Sequence, residues 1–161
     1  MKKTNAIRIL ESKKIKYEEI EYDASKGISG VDVAISTGEN PQNVYKTLVT
    51  ISNKKEYFVF IIPVVNELDL KKAASASNSK KIEMLLQRDL LGLTGYVHGG
   101  CSPIGMKKLF KTFIDESAKD KEYIFVSGGK IGVQIKINPQ DLINIVKACL
   151  LYTSPSPRDR G

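Results

Sequence analysis

The stretch Gly95-Tyr96-Val97-His98-Gly99-Gly100-Cys101-Ser102-Pro103-Ile104-Gly105 constrains the fold more than any other part of the chain. Four glycines and a proline in eleven residues do not build a packed helix or a central strand. They build a loop in which backbone N–H groups face a ligand with no side chains in the way. Two further features belong with it. Lys46 is a lone cation inside Val44-Tyr45-Lys46-Thr47-Leu48-Val49, which otherwise reads as a strand, and Ser127-Gly128-Gly129-Lys130 is a second glycine turn. Two glycine loops and one lysine in a strand point to a pocket for an anionic or ester-like group.

The flanking segments predict the frame. Thr4 to Lys13 reads as a helix with Ile7 and Leu10 inward, and Lys16 to Tyr22 as a strand. Ser29 caps a short helix that Gly38 ends, with Val31, Ala34 and Ile35 inward. Asn40-Pro41 opens another helical turn. Val44 to Ile51 and Glu56 to Ile62 form a hairpin around Ser52-Asn53-Lys54-Lys55, and Pro63 ends its second strand. Short helices are expected at Asp69 to Ala76 and near Gln87 to Leu91. Strands are expected at Phe113 to Asp115, Tyr123 to Val126 and Ile131 to Ile137, the last two as a hairpin. Asn138-Pro139 starts a final helix with an apolar stripe of Leu142, Ile145 and Val146. Hairpins separated by short helices predict an α+β fold: a mixed, largely antiparallel and barrel-like sheet with helices packed around it.

At Cys149 the character changes to Cys-Leu-Leu-Tyr-Thr-Ser-Pro-Ser-Pro-Arg-Asp-Arg-Gly, and two prolines in three residues cannot continue a helix. Cys149 to Asp159 is similar to a translated transposon-type sequencing adapter. The expectation is one domain over residues 1–148, with 149–161 a non-native or disordered tail.

A chain of 161 residues with 42% hydrophobic and 27% charged residues fits one such domain with a real core. No run approaches the ~18 apolar residues of a membrane span, and the start Met1-Lys2-Lys3-Thr4-Asn5 leads into an amphipathic segment, so no secretion signal is expected. Two cysteines are too few for a disulfide framework, which makes a reducing cytoplasm the expected compartment. A net charge of +7 is compatible with a polyanionic partner without requiring one.

Much familiar chemistry is missing. The one histidine, His98, sits in the glycine loop itself, and Ile104 stands where a nucleophile elbow around Ser102 needs glycine. His98 and Cys101 are spaced for a thiol–imidazole pair, but a small loop cysteine beside an exposed histidine explains the spacing as well. There is no CxxC or HxxxH, no P-loop and no dinucleotide fingerprint, so neither metal nor cofactor is expected. An enzyme of this kind works by positioning and electrostatics.

Four blocks in order resemble the YbaK/EbsC family of aminoacyl-tRNA deacylases, relatives of the editing domain inserted in bacterial prolyl-tRNA synthetases. They are Asn40 to Val49, Leu68-Asp69-Leu70-Lys71-Lys72, Gly95 to Gly105 with Met106-Lys107-Lys108, and Val126 to Lys130. The resemblance spans nearly all of residues 4–148. It implies hydrolysis of the ester between a wrong amino acid and tRNA, above all Cys-tRNA(Pro), by attack of the substrate's own thiol. It makes Lys46 the essential lysine, against the alternative of a solvated strand lysine. Gly99, Gly100, Cys101, Ser102 and Pro103 match a GxxxP loop with backbone oxyanion donors, against a purely structural turn. Ser127, Gly128 and Gly129 would line the opposite wall, or form a plain hairpin turn. Tyr22 and Tyr96 would stack on the terminal adenine or pack in the core. Thr47 adjoins the lysine, and strand alternation leaves only its backbone to the pocket.

Three positions depart from the family pattern. Gln134 stands where some relatives have aspartate. Ser29 lies near a position aromatic in some members, which leaves the amino-acid pocket open. His98 replaces a frequent arginine or lysine, making any phosphate contact there pH-dependent. The partners implied are the tRNA acceptor end and prolyl-tRNA synthetase, with no membrane or DNA. The alternatives are a deacylase for Ala-tRNA(Pro) or another small aminoacyl group, and a non-catalytic module that binds tRNA or a synthetase.

Overall fold

The computed structural model describes residues 3–152. Helix α1 (Asn5–Ser12) is capped by Thr4, whose hydroxyl accepts from Ile7 N at 3.2 Å, and it buries Ala6, Ile7 and Leu10. Strand β1 (Tyr17–Glu21) follows, then a 3-10 turn at Ala24–Lys26 and helix α2 (Gly30–Thr37). Ser29 caps α2 through Asp32 N, and Gly38 ends it in the left-handed region at φ 73°. The inward residues of α2 are Val33 and Ala34, whereas Val31 and Ile35 are exposed. The expected inward Val31 and Ile35 therefore face solvent. A helix this short, lying against the end of another strand, buries only the side that strand covers.

Strands β2 (Tyr45–Ser52) and β3 (Tyr57–Pro63) form the expected antiparallel hairpin, with Lys46 opposite Ile62. Helix α3 (Leu70–Ala76) is capped by Asp69. Strand β4 (Ile82–Met84) and helix α4 (Gln87–Thr94) come next. The glycine loop leads to β5 (Lys111–Asp115), a 3-10 turn at Glu116–Asp120, the antiparallel pair β6 (Ile124–Ser127) and β7 (Val133–Ile137), and helix α5 (Pro139–Val146) capped by Asn138.

The strands make two sheets, not one barrel. The first is antiparallel, in the order β1-β7-β6. The second is β4-β2-β3-β5-β8, where β8 is Cys149–Leu151, with antiparallel β4-β2-β3 joined to parallel β3-β5-β8. A single bridge, Val44 to Phe125, links them, so the expected closure is absent. The fold class itself is α+β as expected. Residues 149–151, set apart with the tail on sequence grounds, pair with Phe113 to Asp115, and Leu151 is buried; residues 153–161 lie outside the described residues.

One core cluster fills the space between the sheets, with Leu10, Tyr45, Val49, Ile61, Ile104, Ile135 and Leu142 among its members. A second, around Phe60, Phe113 and Ala73, lies on the other face of the larger sheet. Each sheet is thus covered and its apolar face removed from water.

Thr4 ties α1 to the second glycine turn, since its hydroxyl also donates to Gly128 O at 2.5 Å. Thr4→Ala should lower stability by about 1–2 kcal/mol in urea unfolding, from the lost cap and the stranded carbonyl. Thr4→Ser, which keeps the hydroxyl, should recover most of it.

Candidate active site

The hairpin β2–β3 leaves part of its outer edge open. Val64 N donates to Val44 O at 2.8 Å, which makes Val44 and Val64 a hydrogen-bonded antiparallel pair. By alternation Lys46 and Leu48 also spend their backbone groups on β3, while Thr47 turns its N–H and C=O to the far edge. Strand β4 covers that edge only at Thr50 to Ser52, with Leu85 N reaching Val49 O. Between this cover and the Val44 bridge to β6 lies a gap, and a cavity of about 530 Å³ opens there.

Lys46, half-buried, lines this cavity with Thr47, Tyr22, Ser29, Ser127, Gly99 and Cys101. The structure thereby gathers residues from five places in the chain: the end of β1, the head of α2, β2, the glycine loop and β6. Tyr22 is held at the end of β1 by its N–H on Gly132 O at 2.9 Å. Ser29 stands at the head of α2, which approaches Val64 so closely that a Cβ on Gly30 would fall 2.1 Å from Val64 Cγ1. Ser127 Oγ accepts from Gly129 N at 3.2 Å.

The glycine loop forms the opposite wall through only some of its members. Gly100 N–H closes a turn onto Val97 O at 3.0 Å, so this donor is spent inside the loop. Among the described residues no hydrogen bond engages the N–H of Gly99 or Cys101, and both residues line the cavity. Free backbone donors thus sit at Gly99 and Cys101 and not at Gly100. Gly100 has a different role. A Cβ there would lie 2.8 Å from backbone atoms of Lys130 and Ile131, so only glycine lets the loop rest on the β6–β7 turn. His98, exposed, lines the mouth.

Other predicted residues support the wall from behind. Tyr96 is buried, and its hydroxyl donates to Ile104 O at 2.6 Å. It packs in the core and is not placed to stack on a base. Burial pushes its phenol up to about 12. Ser102 is fully buried and its Oγ accepts from Ile104 N at 3.2 Å, with Pro103 buried beside it. Gly128 and Gly129 are not among the residues that line the cavity; a Cβ on Gly128 would strike Val133, which does line it, and one on Gly129 would strike Thr4.

Sequence reasoning missed the third wall, Met84, Leu85, Gln87 and Leu90, from the β4–α4 connection. Its residues carry an ordinary amphipathic pattern, and nothing local marks them as site residues. Gln134 also lines the cavity. Two buried side-chain atoms have no hydrogen-bond partner among the described residues, Thr47 Oγ1 and Gln134 Oε1, and both residues line this cavity. Both atoms are closed off from solvent, so these two residues meet the cavity through their other atoms. Leaving such a group unpaired costs about 1–3 kcal/mol.

No aspartate or glutamate lines the cavity, so Lys46 faces no carboxylate there. Burial raises the Cys101 thiol to about 11, offset only in part by a hydrogen bond with Thr94, and raises the Tyr45 phenol to about 12. Both stay protonated near neutral pH. Among the described residues no group of three or more His, Cys, Asp or Glu could hold a metal ion, and no helix is long and apolar enough to cross a membrane. The chemistry on offer is one cation, free backbone N–H groups and hydroxyls around an apolar hole, which suits a polarised ester carbonyl.

The chain belongs to the aminoacyl-tRNA editing domain family, whose model matches residues 29–145. It is an aminoacyl-tRNA deacylase of the YbaK/EbsC type. A protein of Enterococcus faecalis (strain ATCC 700802 / V583), provisionally named Cys-tRNA(Pro)/Cys-tRNA(Cys) deacylase EbsC, is 47% identical over 144 residues, 89% of this chain and 88% of that one. Among solved structures, one described as a candidate trans-editing enzyme for prolyl-tRNA synthetase superposes with a TM-score of 0.81 at 22% identity, covering 93% of this chain and 96% of its own. The hypothetical protein APE2540 superposes with a TM-score of 0.83 at 15% identity, covering 91% and 96%.

Gly100→Ala should displace the loop from the β6–β7 turn and lower deacylation at least about tenfold, as misplaced catalytic groups do. Gly92→Ala, with nothing within 4 Å of its Cβ in helix α4, should keep activity and raise stability by up to about 1 kcal/mol. Parallel turnover and urea-unfolding measurements check both. In alkylation with iodoacetamide near neutral pH, exposed Cys149 should be labelled well before buried Cys101, read out by peptide mass spectrometry.

Proposed function

We propose that this protein is a trans-editing hydrolase that removes cysteine from mischarged tRNA, above all Cys-tRNA(Pro), with the substrate supplying the nucleophile. The observation that carries this reading is the pairing of Lys46 with the free Gly99 and Cys101 N–H groups in a cavity whose own thiol is held protonated. The name of the 47% identical relative supports the choice of cysteine as the aminoacyl group.

The substrate's thiol loses its proton to water and attacks its own ester carbonyl. The carbonyl oxygen takes the negative charge and meets the loop N–H groups. The ester bond breaks, the ribose oxygen leaves and is protonated by water, and the thiolactone that remains is hydrolysed to cysteine. Lys46 holds phosphate or ribose oxygens of the acceptor end, and Tyr22 offers its ring to the terminal adenine. The GxxxP loop places the donors. Prolyl-tRNA synthetase is proposed as the partner that supplies tRNA selectivity, and the cytoplasm as the compartment.

Release of labelled amino acid from Cys-tRNA(Pro), Ser-tRNA and Ala-tRNA(Pro) tests this. Loss of cysteine alone is expected, with Lys46→Ala slower by about a hundredfold or more. Cys101→Ala keeps the backbone donor and should stay within a few-fold of wild type; a loss of about a thousandfold would instead make the protein thiol the nucleophile. Release of alanine would move the protein to the sister specificity. Binding of tRNA without any release would make it a binding module. Co-sedimentation at micromolar concentrations checks the synthetase partnership.

A further inference from the structure

The mouth of the cavity carries an apolar edge that the proposed chemistry does not use. Ile28, just before α2, and Ile131, on the β6–β7 turn, meet over Gly99. A Cβ on Gly99 would lie 3.0 Å from Ile28 Cδ1 and 3.5 Å from Ile131 Cγ1. The two side chains thus cover the loop beside one of its free N–H groups, yet they stay 38% and 40% exposed. Val31, one turn along α2, is 39% exposed. Ile28 and Val31 line the cavity, whereas Ile131 touches Gly99 from outside the lining. Tyr22 continues the same edge, since its N–H donates to the carbonyl of Gly132, next to Ile131.

At about 530 Å³ the cavity has the size of a pocket for one small ligand, roughly 300–1,000 Å³. That is room for an aminoacylated nucleoside, and the RNA that carries it leaves through the mouth. The nucleotide before the terminal one then crosses the edge that Tyr22, Ile131 and Ile28 form. Its base has two flat faces, and an exposed branched aliphatic side chain is a surface on which such a face packs. Charge sets the direction of the strand. No ion pair among the described residues engages Lys130, which adjoins Ile131 on the turn. Beyond Ile28, the carboxylate of Asp32 lies against Gly27, where a Cβ would fall 2.3 Å from its Oδ2, and offsets the charge of Lys26. A phosphodiester is therefore drawn toward the turn and not toward α2.

Resting on the deacylase reading, we propose that Ile131, with Ile28 beside it, is a shelf for the base of the penultimate nucleotide of the RNA acceptor end, and that Lys130 holds the phosphate on the 5′ side of that base. This phosphate is one nucleotide further from the ester than the groups assigned to Lys46. The shelf meets the face of the base and not its edge, so it fixes the path of the strand without reading its sequence. It makes the protein favour an unpaired 3′ extension over a lone nucleoside ester, whichever amino acid is attached.

The test measures binding by calorimetry. Two non-hydrolysable probes carry cysteine through a 3′-amide on a 5′-phosphorylated dinucleotide ending in adenosine. One has cytosine at the penultimate position and the other an abasic ribose. Wild type should bind the cytosine probe about tenfold more tightly, and a uracil probe as well as the cytosine one. Ile131→Ser should bring the cytosine and abasic probes within about twofold of each other, and Ile131→Phe, which offers a flat ring, should widen the ratio. Lys130→Gln should weaken both probes alike, flatten their salt dependence and leave the ratio unchanged. Equal binding of the two probes by wild type overturns the proposal, as does failure to bind either. An Ile131→Ser variant that weakens both probes and keeps their ratio also overturns it, because Ile131 then only braces Gly99. If Ile131→Asp abolishes co-sedimentation with prolyl-tRNA synthetase while the ratio stands, the edge is a protein interface and the shelf is lost. A protein that shows the base preference but releases no cysteine from Cys-tRNA(Pro) keeps the shelf and loses the deacylase reading. One that releases cysteine and binds both probes alike does the reverse.

Discussion

The site depends on one contact between two backbones. At Gly100 the glycine loop lies against Lys130 and Ile131 of the β6–β7 turn with no room for a side chain. That contact positions Gly99 and Cys101 on the cavity, because the loop has no ladder of its own to hold it. The turn is in turn anchored by Thr4 through Gly128, and Tyr96 and Ile104 pin the loop from within the core. Three segments far apart in the chain are thus fixed relative to one another by short hydrogen bonds and a close approach. A cavity wall made of loop backbone needs such bracing to hold its donors ready.

Burial gives the cavity its chemical character. The same desolvation that raises Cys101 and Tyr45 removes them as anions and leaves Lys46 in a lining that holds no carboxylate. On the proposed reading such a site would stabilise negative charge that develops during the reaction, and it offers no protein thiolate to attack.

What was legible in the sequence was local. Ser29 and Asn138 cap the helices expected of them, and Thr4, Asn40 and Asp69, read as the starts of their helices or turn, prove to be the caps, since a cap needs only the next two or three residues. The two hairpins were legible from β-branched runs around turn residues. What depended on distant packing was not. The three residues of β4 have no pattern of their own and exist because Ser52 and its neighbours offer an edge. Nothing local separates Tyr22, at the cavity, from Tyr96, behind it; a hydrogen bond to Ile104 and the core around it decide the matter. The absence of carboxylates from the lining was equally hidden, because it is a property of residues from both sheets.

The gap beside Thr47 has a consequence for how the protein survives in a crowded solution. An uncovered stretch of strand is a template on which another extended chain can grow, and sheets that leave one exposed tend to clump. Here the exposed stretch is short, bounded by β4 and by the bridge to Phe125, and it carries Lys46. A lysine in such a place discourages an incoming strand by keeping water and charge at the edge. The residue at the centre of the site therefore also guards solubility. Replacing it with an apolar residue would remove two safeguards at once, and loss of turnover in such a variant has to be read together with its state of association.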